Sequence, residues 1–371
     1  MVKRWTSPDA LKRDCRWFRG DVPCKPHKQL GVHCVDEHGR SCGHYEQLTS
    51  RILIIKLGAI GDVIRTTPLL HRIKLVYPHA QIWWLTLTPE VVPSSVDVVL
   101  TFTTQGITIL QGTAFDIIYN LDKDREACTL TATLKAGKKK GFTLKEGVVA
   151  PSDQDAVPKY MTGLFDDLNR ENTKSYLQEI FDICGFSFEG ENYILDSFKG
   201  DGYKWRLPRH KKVVGLNTGC GGRWIPRIWP EEHWVTLAKK LKKAGHVSLL
   251  LGGEQEHSKN LRIAKKGGAL YLGHFPLRQF INLVDQCHLV VTAVTMAMHI
   301  TIGLGKKIVL FNNIFNRNEF ELYGLGRILE PSTGCTCHFT ATCTNKDHAP
   351  AGCMRHLNPV TVFNACTSLL G

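Results

Sequence analysis

Hydrophobic residues in this chain come in short runs that alternate with amphipathic stretches. RILIIK (51–56) is apolar and β-branched and runs into a glycine turn, which predicts a buried parallel strand. The stretch from Gly61 to Tyr77 predicts a helix, with Pro68 tolerable only near its first turns. QIWWLTL, DVVLTF and FDIIYNL predict further strands, and the segments around 124–135 and 173–184 predict helices. Strands alternating with helices imply parallel βαβ units.

A second set begins at Lys212. VVGLN predicts a strand, followed by a glycine-rich loop at 219–222. The helix expected from Pro230 to Ala244 carries a full set of signals: Pro230 suits a first helical position and Glu231 and Glu232 oppose the N-terminal dipole. Trp234, Leu237, Ala238 and Leu241 form one apolar stripe, and lysines crowd the last turn before Gly245. HVSLLL, a helix over 256–266, HLVVT and KKIVLF complete a second open sheet. The expected division is an appendage over 1–50, a first domain over 51–195, a second over 205–333, and a cysteine cluster with a terminal helix over 334–371. The linker between the two large domains is expected around 190–211, where Gly, Lys, Arg and Pro accumulate. Tandem α/β domains of this kind bind ligands at the carboxyl ends of their strands, in a cleft the two sheets face.

Composition narrows the class. A chain of 371 residues, 43% hydrophobic and 22% charged, suits two globular domains with sizeable cores. The N-terminus lacks the apolar run of a secretory signal, and no stretch approaches the roughly 20 apolar residues that span a bilayer. A cytoplasmic location is expected. The net charge of +13 biases the surface toward anions: nucleotide diphosphates, phosphorylated glycolipids, an anionic membrane face or nucleic acid. Charge alone does not choose among them, and clusters such as Lys138–Lys140 or Lys239, Lys240, Lys242 and Lys243 also suit ordinary solvated faces.

The run RILIIKLGAIGDVIRTTPLLHRIKLVYPHAQIWWLT resembles the start of glycosyltransferase family 9, the ADP-heptose:lipopolysaccharide heptosyltransferases. RWIPRIWPEEHWVTLAKKL, LLLGGEQE and VVTAVTMAMHITIGLGKKIVLF resemble the donor-binding half of that family in order and spacing, so the likeness covers roughly 51–330. It implies a GT-B architecture: an α/β fold of two Rossmann-like open parallel sheets facing a cleft, here with a small Cys-rich N-terminal appendage. It also implies an inverting transfer from an ADP-sugar, with heptose the expected sugar and no metal needed for the chemistry. The implied acceptor is an anionic glycan or glycolipid such as lipopolysaccharide core, reached by peripheral contact with the anionic inner membrane; nucleic acid is not the expected partner.

An inverting transfer needs one base to take the acceptor proton while the diphosphate leaves from the opposite face. Asp62 matches the aspartate of the family's GD pair and is the expected base, with Gly61 letting substrate approach; Asp62 also suits a helix N-cap. The glycines here are spaced GxxG and no acidic residue ends the next strand, which weakens a dinucleotide-dependent oxidoreductase. Arg227, two residues before Trp229-Pro230, matches the family's phosphate-pairing cation, and Arg223 in the same loop is expected to assist. Thr218 has the position of a hydroxyl donor at a strand end, and Gly252 and Gly253 fall in the donor-binding LLLGGEQE block. In VTAVTMAMH, Thr295 and His299 are retained, but Val294 stands where the family carries an acidic residue and Met296 where it carries glycine. That departure puts the donor in question, and His299 also suits a buried core histidine. Glu319, or Glu321 beside it, is the candidate that replaces the missing carboxylate by holding a ribose or sugar hydroxyl.

Thirteen cysteines are many for a reducing compartment. Cys15, Cys24, Cys34 and Cys42 fall in the appendage, interspersed with His27, His33, His38 and His44, and Cys335, Cys337, Cys343 and Cys353 fall near the end. Such clusters suggest structural zinc or an iron–sulfur centre, in one site or two, with unligated thiols as the alternative. The C-terminal set also resembles the iron-binding cysteine finger of autotransporter heptosyltransferases, at different spacings. Two other functions stay open: transfer onto a protein or other macromolecule, and a non-catalytic family member that acts as a binding module.

Overall fold

The computed structural model describes residues 7–208, 210–222, 224–335, 337–343 and 352–371. By its contacts the chain divides into two compact units. One holds Met1–Ile55, Leu69–Thr86 and Ser95–Ser152; the other holds Lys56–Pro68, Leu87–Ser94 and Asp153–Gly371.

The first unit is built on six strands: β1 (Ser50–Ile55), β2 (Ala80–Thr86), β3 (Val98–Thr101), β4 (Phe115–Asn120), β5 (Ala136–Lys145) and β6 (Val148–Pro151), ordered β3-β2-β1-β4-β5-β6. Ile52, Leu53, Ile54 and Ile55 are all fully buried, which is why β1 lacks polar alternation and sits centrally, parallel to both β2 and β4. The β5–β6 pair is antiparallel and turns through Glu146 and Gly147, both at positive φ, as a two-residue hairpin demands. The appendage has almost no core: among residues 7–49 only Pro26 is buried. It is pinned to the sheet by Arg16, which pairs with Asp97 at 2.9 Å, and by Gln81 Nε2, which donates to the Arg16 carbonyl.

The helix expected over 61–77 is two helices, Ile60–Thr66 and Leu69–Val76. Pro68 brings no N–H and crowds the preceding turn, so the chain breaks there. Thr67 stabilises the break, its hydroxyl donating to the Ile64 carbonyl and accepting from the Ile194 N–H.

The second unit carries β7 (Val213–Asn217), β8 (Val247–Leu251), β9 (Leu270–Tyr271), β10 (Leu289–Ala293), β11 (Lys307–Phe311) and β12 (Gly326–Leu329), all parallel, in the order β12-β11-β10-β7-β8-β9. The chain starts at β7 and runs outward to one edge, then returns to β10 and runs to the other. The switch between β7 and β10 opens the loops that follow them, where α/β sheets bind ligands. The helix Glu231–Lys243 buries the expected stripe of Trp234, Leu237, Ala238 and Leu241, with Pro230 as its cap rather than its first residue. The terminal helix Pro359–Leu370 closes the same core, placing Val362, Ala365 and Cys366 in one cluster with Trp229, Trp234 and Phe311.

Candidate active site

At the carboxyl ends of β7, β8, β10 and β11 the second unit encloses a cavity of about 660 Å³. Asp62 reaches it from the helix Ile60–Thr66, which packs against the helix Met296–Gly303. Gly61 makes that packing possible, since a Cβ there would stand 2.4 Å from His299 Cδ2. Asp62 is half-buried and pairs with Arg65 at 2.8 Å, one turn along the same helix. The Arg65 guanidinium lies 3.3 Å from the ring centroid of Tyr176. Burial pushes the Asp62 carboxyl up, but the charges of Arg65 and then Lys56 outweigh it and hold the group below the usual carboxylate range. Arg65 moves the opposite way: burial opposes its charge, and Asp62, Tyr176 and Glu319 raise it further.

His299 is both buried and on the cavity wall. Burial, and then Arg65, push its imidazole down to about 3, which favours the neutral ring. Thr295 also lines the cavity, at the N-cap of Met296–Gly303, within hydrogen-bond reach of Thr292 Oγ1 at 3.0 Å and Asn217 Nδ2 at 3.3 Å. The first turn of that helix, Met296 and Ala297, faces the cavity, and a helix N-terminus favours an anion.

Arg227 lies in the turn Ile225–Arg227 after the glycine-rich loop and is buried. It donates to the carbonyls of Cys220 at 2.7 Å and Trp224 at 3.4 Å. Among the described residues no carboxylate pairs with it, and desolvation lowers it to about 10, still charged at neutral pH. A buried guanidinium left without a counterion marks a place for an anionic ligand.

Thr218 stands apart from the other expected donor-binding residues. Its hydroxyl is turned inward, donating to Asn260 Oδ1 at 2.6 Å, and its side chain is not on the cavity wall. Gly252 and Gly253 do line it, and the Gly253 N–H donates to Glu256 Oε2 at 2.9 Å. Glu319 lines it and accepts from Asn169 Nδ2, whereas Glu321 accepts from the Tyr323 N–H and stands outside the lining. Arg223 lies outside the described residues. Sequence reasoning missed Arg65, Tyr176 and Glu256. The first was legible as the residue three after Asp62 on a helix, and the last as the carboxylate three after Gly253.

None of the thirteen cysteines is in a disulfide. Cys15, Cys24, Cys34 and Cys42, with His33 and His44, line one cavity of about 20 Å³ in the appendage. At the other end Cys337 and Cys343 Sγ are 3.6 Å apart, and Cys335 is raised by its hydrogen bond to Cys353 and then by burial. Among the described residues no group of three or more His, Cys, Asp or Glu side chains is disposed to hold a metal ion.

The family model described as glycosyltransferase family 9 (heptosyltransferase) matches residues 107–315. No curated protein sequence matches the chain. Among solved structures, a family 9 glycosyl transferase from Veillonella parvula superposes with a TM-score of 0.66 at 16% identity, covering 88% of this chain and 98% of its own. The E. coli ADP-heptose lipopolysaccharide heptosyltransferase II gives 0.63 at 16% identity, over 86% and 98%. The iron-containing dodecameric glycosyltransferase TibC of enterotoxigenic E. coli gives 0.55 at 13% identity, over 86% and 76%.

Proposed function

Because the chain belongs to glycosyltransferase family 9, we propose that its cavity binds an ADP-activated sugar, heptose first among them, and that Asp62 is the base that transfers it with inversion. The observation that carries this reading is that Asp62 and Arg227, which no carboxylate among the described residues pairs with, line one cavity. Asp62 takes the proton of the acceptor hydroxyl as that oxygen bonds to the anomeric carbon. The bond from that carbon to the diphosphate breaks on the opposite face, and the leaving charge passes to Arg227 and the first turn of Met296–Gly303. Titration of the wild-type chain with ADP and ADP-heptose, followed by an acceptor-dependent transfer assay, tests it. A chain that binds neither sinks the enzymatic reading and leaves the binding-module alternative, which the apolar Val294 and Met296 in the cavity wall favour.

Arg65 then serves as the partner that keeps the base ionised. The groups facing the Asp62 carboxylate are Arg65 on its own helix, Lys56 at the end of the preceding strand and His299 opposite. A lowered carboxyl pKa means the base is ready at neutral pH and is lost only as the pH falls below the usual carboxylate range. Arg65→Gln is expected to move the acidic limb of the kcat/KM profile to higher pH, and Arg65→Lys to restore most of it. An unmoved limb in Arg65→Gln would assign the ionisation to Lys56 instead.

A saccharide acceptor on an anionic surface, lipopolysaccharide core above all, fits the charge of +13. Lys239, Lys242, Lys243, Lys265 and Lys266 border one shallow depression on adjacent helices, a disposition suited to peripheral contact with an anionic membrane. No helix among the described residues is long and apolar enough to cross one. Although the described side chains form no ready-made group of three ligands, the cysteine sets are proposed as structural sites for zinc or iron, outside the transfer chemistry. The Cys337–Cys343 separation suits two ligands of one ion, since bonds of about 2.3 Å to a tetrahedral centre hold thiolates a little under about 4 Å apart. Elemental analysis is expected to find metal in the wild-type chain and a stoichiometric loss in Cys→Ser variants of either set. Full occupancy in those variants, or no metal in the wild type, overturns the assignment.

A further inference from the structure

The cavity has an aromatic end that neither the base nor the diphosphate uses. Trp224, Phe315 and Phe339 all line it, half-buried and edge to face, with ring centroids 5.8, 6.4 and 5.1 Å apart pairwise. Phe315 follows β11. Phe339 comes from the C-terminal cysteine segment, between Cys337 and Cys343, and adopts a positive φ of 47°. Its N–H donates to the Ile314 carbonyl at 2.9 Å, which fixes the segment against the loop that carries Phe315. Asn313 extends the same support, donating to Cys353 Sγ at 3.3 Å and to the Pro226 carbonyl, one residue from Arg227, at 2.9 Å. Through Phe339, the described part of the cysteine segment thus contributes to the wall of the cavity.

The sheet order decides which part of a nucleotide sugar meets that wall. Phe275, Leu277 and Phe280 line the cavity after β9, and Phe315 lines it after β11, on opposite sides of the β10-β7 switch. A diphosphate at Arg227 and Met296–Gly303 has one end to place toward each. The sugar must lie toward Asp62, because the hydroxyl that Asp62 deprotonates attacks the sugar's anomeric carbon. Glu319, which bears on the charge of Arg65 beside Asp62, lies four residues beyond Phe315, and Arg227 itself stands 5.3 Å over the Phe315 ring. The β11 side is therefore the sugar side, and the nucleoside goes toward β9.

We propose that Phe339, held by the C-terminal cysteine segment, packs against the apolar face of the donor's sugar ring and helps select which sugar is accepted. The proposal rests on the reading of this cavity as the donor site. It is tested by calorimetric binding of ADP and of ADP-heptose to the full chain, with Asp62→Asn as the parent so that the donor is not consumed. Phe339→Ala is expected to leave ADP affinity unchanged and to weaken ADP-heptose roughly tenfold or more, the scale of losing a well-filled apolar contact. Phe339→Tyr should recover most of the loss. The pair Cys337→Ser with Cys343→Ser should reproduce the same split, since it releases the segment without touching the ring.

Equal weakening of ADP and ADP-heptose in Phe339→Ala would mean that Phe339 only supports the Arg227 turn, and would overturn the proposal. Unchanged ADP-heptose affinity in a variant that keeps the parent's thermal midpoint overturns it as well, while leaving the donor reading intact. If the parent binds neither compound, the donor reading fails first and takes this proposal with it.

Discussion

Asp62→Asn is expected to lower kcat for sugar transfer by about a thousandfold while ADP affinity stays within a few-fold of wild type. A positioned general base contributes roughly 10²–10⁴ in rate, and Asn matches Asp in volume but accepts no proton. Nucleotide affinity should hold because the proposed diphosphate contacts come from Arg227 and from the helix Met296–Gly303. The substitution also strips Arg65 of its 2.8 Å partner, so some loss of thermal stability is expected alongside. Rates must therefore be read on protein shown to be folded, and Asp62→Asn with Arg65→Gln, which removes both charges, separates the two effects. If the double variant recovers stability but not rate, the loss belongs to the base. A single variant retaining more than about a tenth of kcat would move the base elsewhere. Glu256 and Glu319 are then the next carboxylates on the cavity wall, and their Gln variants should carry the missing effect.

The part of this site that was legible in the sequence is the part built from neighbours in the chain. RILIIK followed by GAIGD announces a buried strand, a glycine turn and a helix start, because strand burial and turn chemistry are local demands. Arg227 was legible for the same reason, lying in a glycine-rich loop between a strand and a helix with strong start signals. What stayed hidden depends on residues brought together by the fold. Tyr176 lies more than a hundred residues from the Arg65 it stacks on, and Phe339 lies more than a hundred from Trp224. The inward turn of the Thr218 hydroxyl onto Asn260 was not legible, because strand-end position says nothing of which way a hydroxyl turns. The β5–β6 hairpin was missed because Lys138, Lys139 and Lys140 dilute the apolar pattern of an outlying strand, whose outer positions stay open to solvent. The family likeness gave the architecture, but the altered residues Val294 and Met296 still line the cavity. The departure therefore bears on the cavity itself.

The second large effect is expected at Arg227. Arg227→Met should weaken ADP about 10- to 100-fold, the range of a hydrogen bond to a charged group that is worth about 1.5–3 kcal/mol. It should lower kcat as well, because the diphosphate, already anionic in the donor, gains a further negative charge as the sugar leaves. Arg227 has a structural task too, since its bonds to the Cys220 and Trp224 carbonyls tie the glycine-rich loop together. Met has a similar length without charge, whereas Lys keeps the charge without the planar fork, so the pair of variants separates the two tasks. If charge dominates, Arg227→Lys binds ADP nearer to wild type than Arg227→Met does, and the difference shrinks as salt is raised. If loop support dominates, both variants lose affinity equally, and the loss is insensitive to salt. That no carboxylate among the described residues pairs with this buried guanidinium argues for charge, because such a cation is costly to keep in the folded protein without an anion to receive. ADP affinity unchanged in Arg227→Met would place the diphosphate on the first turn of Met296–Gly303 alone. The donor loop altered at Val294 and Met296 would then be the whole of the anion site.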